Sequence, residues 1–190
     1  MGRGIRNTFV LVGCFSFACG LAVAQEVVHA LSGTVNNVNL AAKTITVLTD
    51  DGSGGTFKAM TDSKTPVEFD KTLRADAIAA DAFKKKETRV IVYYFGYSDV
   101  RTAVALRDLG PGPFKKVSGE VVKFEGRDHS ISIKDQSGAI ASFKITQSTV
   151  ADTGMGAVEG FKFEAGKGDQ VRVISTDVNG TATALFIKSL

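Results

Sequence analysis

Ser32-Gly33-Thr34-Val35, Thr44-Ile45-Thr46-Val47, Asp50-Asp51-Gly52 and Phe57-Lys58 all lie within residues 32–58, and the reading of the whole chain turns on them. At an offset of 86 the pattern returns as Ser118-Gly119-Glu120-Val121, Ser130-Ile131-Ser132-Ile133, Asp135-Gln136-Ser137-Gly138 and Phe143-Lys144. No gap is needed across these 27 positions. Seven are identical: the Ser, Gly and Val of the first motif, one Ile, one Gly and the Phe-Lys pair. Self-similarity at a fixed spacing is the mark of a repeated structural unit. Further on the offset shrinks. Val90 and Val92 match Val171 and Val173, and TAVAL at 102–106 matches TATAL at 181–185. The order of matches is kept, so the 190 residues read as one domain written twice, with a shorter middle in the second copy.

Each copy is built of short strands. Thr44-Ile45-Thr46-Val47 alternates polar and apolar side chains, the period of a half-buried strand. It runs into Asp50-Asp51-Gly52-Ser53-Gly54-Gly55, where glycine supplies positive φ cheaply, and residues 56–60 return as the hairpin partner. The second copy repeats this hairpin over 130–133 and 142–145. Further strands are expected at 29–38, 89–95 and 102–107, and at 117–125, 171–175 and 182–188. Residues 71–86 lack Gly and Pro and are rich in Ala. They place Asp76 and Asp81 ahead of Lys84, Lys85 and Lys86, the charge order that suits a helix dipole, and so predict a helix. Residues 150–160 contain Gly154, Gly156 and Gly160 and predict a loop with at most one helical turn. Strand, strand, strand, helix, strand, strand is the order of an OB-type barrel; a five-stranded barrel of another topology is the second solution. The expected fold is therefore mainly β: two tandem five-stranded OB-like small barrels over 25–109 and 117–190, the first with a helix between strands three and four. Gly110-Pro111-Gly112-Pro113 cannot enter a central strand or a helix interior, which makes 110–116 a linker.

These motifs resemble a group of small exported bacterial domains of uncharacterised function. Their pattern runs Ser-Gly-x-Val, Thr-Ile-x-Val, Asp-x-Gly, Phe. The resemblance covers both copies, with Ser130 in place of the threonine in the second. It implies a barrel and export, and no particular activity.

The N-terminus carries its own instruction. Arg3 and Arg6 precede an uncharged stretch from 8 to 24 holding Phe9, Val10, Leu11, Val12, Phe15, Phe17, Leu21 and Val23. That stretch ends Ala22-Val23-Ala24. A basic start, an apolar centre and a small-x-small end predict a signal peptide over 1–24, cleaved before Gln25, and a periplasmic or extracellular protein. Leu11-Val12-Gly13-Cys14 offers a second processing route, lipid anchoring at Cys14. Cys14 and Cys19 are the only cysteines, so the chain beyond Ala24 has no disulfide framework and needs a hydrophobic core instead. Beyond Ala24 there are 21 Lys and Arg against 20 Asp and Glu. Neither copy carries a basic excess, which argues against nucleic acid as the partner.

Catalytic and metal-binding patterns are sparse. His29 and His129 fall short of a zinc ligand set, and Met60 and Met155, far apart in sequence, fall short of a soft copper site. The Asp50-Asp51-Gly52 turn lacks the alternating acids and distal Glu of a calcium loop. Ser53 lacks a nucleophile-elbow setting. Residues 154–160 do not match the dinucleotide fingerprint. No cofactor is expected. The feature with most chemical content is Tyr93-Tyr94-Phe95-Gly96-Tyr97, which holds all three tyrosines, with Arg101 close behind. The matching Ile174-Ser175-Thr176 shows that a barrel does not demand this cluster. Aromatic rings with a polar handle suit a sugar, a base or a peptide, while the same rings also suit a core or a domain contact. The chain therefore reads as an exported non-catalytic binding or interaction module for an envelope protein or a small ligand. The alternatives are an OB-like protein stacking an oligosaccharide or single strand on Tyr93, Tyr94 and Tyr97 beside Arg101, and a periplasmic metal carrier.

Overall fold

The computed structural model describes residues 25–52, 54–61, 65–97 and 101–190; the expected signal peptide, Cys14, Cys19 and Ser53 lie outside them. Fifteen strands and one short helix follow in order among the described residues. They are β1 (Glu26–Val27), β2 (His29–Asn39), β3 (Thr44–Thr49), β4 (Gly54–Ala59), β5 (Val67–Glu68), α1 (Lys71–Ala75), β6 (Ile78–Ala79), β7 (Arg89–Phe95) and β8 (Arg101–Asp108). After these come β9 (Lys115–Glu125), β10 (Ser130–Lys134), β11 (Ile140–Lys144), β12 (Val150–Thr153), β13 (Gly156–Glu159), β14 (Gln170–Val178) and β15 (Thr181–Ser189). Two large sheets result. The first runs β4-β3-β2-β7-β8-β6, and the second runs β11-β10-β9-β14-β15-β12-β13. In each, the third long strand also meets the fifth in parallel: β4 against β8 at Phe57↔Arg101, and β11 against β15 at Lys144↔Thr183.

The two sheets share local devices at matching places. The register of β2 against β3 skips Asn36, and that of β9 against β10 skips Val122, both inside the first long strand. Such bulges bend a strand and increase its twist. Gly33 and Gly119 sit where that bent strand meets its partner. A Cβ at either would fall well inside 3.0 Å of a backbone carbonyl, that of Leu48 or Lys134, so only glycine fits. Lys43 and His129 both take positive φ in the following turn, as do Gly52 and Gly138 in the next one.

Three buried clusters hold the molecule together. Val35, Val47, Phe57, Val90 and Val92 fill the first sheet, and Val121, Ile133, Phe143, Val171 and Val173 fill the second. The third lies between the sheets and joins Ala30, Phe69, Leu73, Ile91 and Tyr93 to Val150, Ile174 and Phe186. Successive strand residues point to opposite faces. On β7, Val90 and Val92 therefore serve the first core while Ile91 and Tyr93 serve the inter-sheet core. All four are fully buried, which is why this strand reads apolar throughout. Each such side chain contributes about 1.5–3 kcal/mol of transfer free energy.

Four sequence expectations need correction. The helix predicted over 71–86 is only Lys71–Ala75. Asp70 caps it by accepting from the Thr72 and Leu73 N–H groups, and Leu73 anchors it. Beyond Ala75 a continued helix would carry Ala80 and Phe83 away from the first core, where both are buried. Instead Ile78 and Ala79 pair with Leu106 and Ala105 of β8, and a single 3-10 turn at Ala80–Ala82 delivers Phe83. Burial overrides the local propensity. Residues 150–160, expected as a loop, form the β12–β13 hairpin, with Gly156 at φ 118° and β12 paired in parallel to β15. The last two residues of the expected 110–116 linker, Lys115 and Lys116, already belong to β9 and pair with Ser175 and Ile174. Finally, TAVAL and TATAL are not register partners. Tyr94 faces Ala103 where Ser175 faces Ala184, so Thr102 corresponds to Thr183 and not to Thr181. Alternating alanines make a two-residue slip invisible to sequence matching, because it returns each side chain to the same face.

Candidate functional site

Charged and polar joints tie the two sheets together, and four of them involve side chains among the described residues. Asp152 on β12 is fully buried. It accepts the Ala30 N–H at 3.0 Å, lies 3.2 Å from His29 Nδ1, and forms an ion pair with Lys188 on β15. Asp50, at the end of the first hairpin, pairs with Arg89 and accepts from the Ser32 hydroxyl, while its carbonyl accepts from Lys116 Nζ at 2.8 Å. Arg107 donates to the Ser148 carbonyl. Lys162 Nζ lies 2.6 Å from Asp70 Oδ2. Burial pushes the Asp70 carboxyl up, but Lys162 and the two helix N–H groups outweigh it and hold the group below its ordinary value.

Between the first two joints the sheets leave a cleft of about 140 Å³. Its walls include Leu31, Ser32, Asp51, Tyr94 and Arg101 from the first sheet, and Arg172, Phe186 and Lys188 from the second. Arg101 opens β8. Its guanidinium lies 4.6 Å from the Phe57 ring centroid and 5.9 Å from that of Tyr94. Gly55 makes this possible, because a Cβ there would meet Arg101 Nη2 at 2.6 Å. Arg101 Nε is buried and has no hydrogen-bond partner among the described residues. Arg172, from the second sheet, lines the same cleft and donates through Nε to the Ser118 hydroxyl at 3.3 Å.

The four residues singled out by sequence are not gathered into one surface. Tyr94 and Arg101 meet in the cleft. The half-buried Tyr94 ring is edge-on to Phe57 at 5.4 Å. Burial raises its phenol above the ordinary value; the Asp152 charge adds to this and Arg101 opposes it. Tyr93 points the other way, into the inter-sheet core. Its ring lies 4.8 Å from that of Phe69, and its hydroxyl has no partner among the described residues. Burial drives that phenol far up, against the nearby Arg107 charge. Tyr97 follows Gly96 at the end of β7 and is 84% exposed. Arg172, Phe186, Lys188 and Asp152 escaped sequence reading altogether. No motif marks them, and only the packing of one sheet on the other brings them to Tyr94.

His29 is engaged with Asp152, while His129 stacks on Phe161 at 4.0 Å beside the β9–β10 turn. Among the described residues no group of three His, Cys, Asp or Glu is placed to hold a metal ion. No helix among them is long and apolar enough to cross a membrane. The cleft thus offers guanidinium groups, an ammonium, a phenol and apolar walls, which are means of holding a ligand. No family model matches the chain, and no curated protein matches it either.

Proposed function

We propose that the protein is an exported, non-catalytic binding module whose ligand occupies the inter-sheet cleft against Tyr94 and Arg101. One observation carries this reading. Arg101 stands within cation–π reach of two aromatic rings at a cleft wall, beside a glycine that leaves it room. Arg101 as a residue is only half-buried and lines the cleft, so the rest of its guanidinium is what a ligand oxygen can reach. Cation–π contact holds the guanidinium in place without using its in-plane donors.

The architecture we infer is a pair of OB-like barrels. Support comes from the order β2-β3-β4-β8-β7, in which β7 returns to β2, and from its repetition as β9-β10-β11-β15-β14. The shared bulges and glycines support a duplication, with the boundary between Leu109 and Lys115. Export rests on the pattern of residues 1–24.

An NMR screen of the purified protein against oligosaccharides, single-stranded oligonucleotides, short peptides, and Cu and Zn ions tests the reading. Saturable shifts are expected at Tyr94, Arg101 and Leu31. Shifts confined to Tyr97 would favour stacking of a sugar or single strand at the end of β7. Shifts at neither place would favour a protein partner.

A further inference from the structure

Charge is distributed unevenly around the cleft. Beyond Ala24 the chain is nearly neutral. At the cleft and its rim, however, Arg89, Arg101, Lys116, Arg172 and Lys188 gather, among the described residues, against Asp50, Asp51 and Asp152. The carboxylates are already committed. Asp50 pairs with Arg89, and Asp152 is shared by Lys188 and His29. Asp51 accepts from the Thr49 hydroxyl. Neither Arg101 nor Arg172 forms a salt bridge with a carboxylate among the described residues.

We propose that the cleft is a site for the oxyanion of a small organic acid, a carboxylate or a phosphate monoester, gripped between Arg101 and Arg172. This deepens the binding reading above and rests on it. A guanidinium presents a planar fork of donors that matches the two oxygens of a carboxylate or phosphate. Two such forks from opposite walls provide that recognition at both sides of one anion. The Tyr94 hydroxyl is a third donor from the same wall, protonated at neutral pH as any phenol is. Leu31 and the Phe186 edge give the remaining ligand atoms an apolar resting place. The volume, about 140 Å³, falls below the usual range for drug-sized ligands. It therefore suits an anionic group with a few carbons, or the anionic end of something longer that projects into solvent.

The second sheet does not repeat the site. By ladder register its Ser175 stands for Tyr94, Ala182 for Arg101 and Ala141 for Gly55. The molecule therefore has one such site, composed of both halves.

Amide NMR titration of the purified protein with inorganic phosphate, acetate, benzoate and phenyl phosphate, with benzyl alcohol as the neutral control, tests the proposal. At least one anion is expected to give saturable shifts at Leu31, Tyr94 and Arg101. Its affinity should fall about tenfold or more in Arg101→Gln and in Arg172→Gln, and should weaken with added salt. The tighter of phenyl phosphate and benzoate names the group. Arg74→Gln, remote from the cleft, serves as control, and thermal melts confirm that each variant folds. If neutral ligands bind the cleft as well as anions do, or if both Arg variants keep full affinity, the anion proposal fails while the binding reading stands. If no ligand in this set or in the wider screen shifts the cleft, both fail.

Discussion

Tyr94, Arg101 and Gly55 in the first sheet occupy the register positions held by Ser175, Ala182 and Ala141 in the second. The two sheets share strand order, bulges and corner glycines, so this difference is not one of fold. Where the first sheet lays a guanidinium across Phe57 and Tyr94, the second has small side chains over Phe143. Conversely, the second sheet carries Arg172 where the first has the buried Ile91, and it alone supplies the β12–β13 hairpin with Asp152. Features common to both halves serve the architecture of each. Features that differ serve the joint and the cleft.

The largest expected effect concerns that joint. Asp152→Ala removes the buried carboxylate from three partners and should cost about 3 kcal/mol, since breaking a buried ion pair strands what remains. Urea unfolding measures it. A loss of a few tenths only would mean that apolar contacts alone hold the sheets together.

Next comes the shared architecture. Gly33→Ala and Gly119→Ala should each destabilise by about 2–3 kcal/mol, because the new Cβ meets a backbone carbonyl that cannot swing aside. The equality of the two is the point. If one is tolerated and the other is not, the sheets are less alike than their ladders indicate.

Replacing the first sheet's residues by those of the second sharpens the comparison. Tyr94→Ser combined with Arg101→Ala should abolish shifts at the cleft in the ligand screen while lowering the melting temperature only modestly. Retained binding would place the ligand elsewhere.

A smaller effect separates the tyrosines. Tyr93→Phe removes a buried hydroxyl with no partner among the described residues, so stability should stay level or rise by up to about 1 kcal/mol, with ligand binding unchanged. A clear loss of stability would reveal a hydrogen bond at that hydroxyl.

Smallest is Lys162→Gln, because the lysine is largely exposed and solvent screens its pair with Asp70. The sign of its pH dependence is fixed. Asp70 is held below its ordinary value only in the folded chain. The pair therefore stabilises above the unfolded value near pH 4 and loses its effect as pH falls through the folded one. The variant and the parent should converge in acid. A gap that persists once Asp70 is fully protonated in acid would assign the effect to something other than this pair.

Strands were legible because alternation is written locally. Arg89–Phe95 was read to the residue, and most other long strands to within two. The helix was over-read because propensity speaks residue by residue, while Ala80 and Phe83 answer to a core made of distant strands. The last strand was matched two residues out of register because period-two alanines permit a slip that only β7 and β14 resolve. Tyr94 and Arg101 stood out through composition. Tyr93 stood out for the same reason and proved to be packing, since adjacent strand residues face opposite ways and one face meets the other sheet.

By itself the sequence determined a mainly β chain and where its hairpins turn. Those properties depend on side-chain alternation and backbone sterics within a few residues, and short-range physics is written in order along the chain. Only the tertiary structure decided that the two sheets share a third core, that Asp152 meets His29 and Lys188 and Lys116 meets the Asp50 carbonyl at the joint, and that Arg172 and Arg101 line one cleft. Those facts depend on how two twisted sheets bury their outer faces against each other, which brings together residues far apart in the sequence.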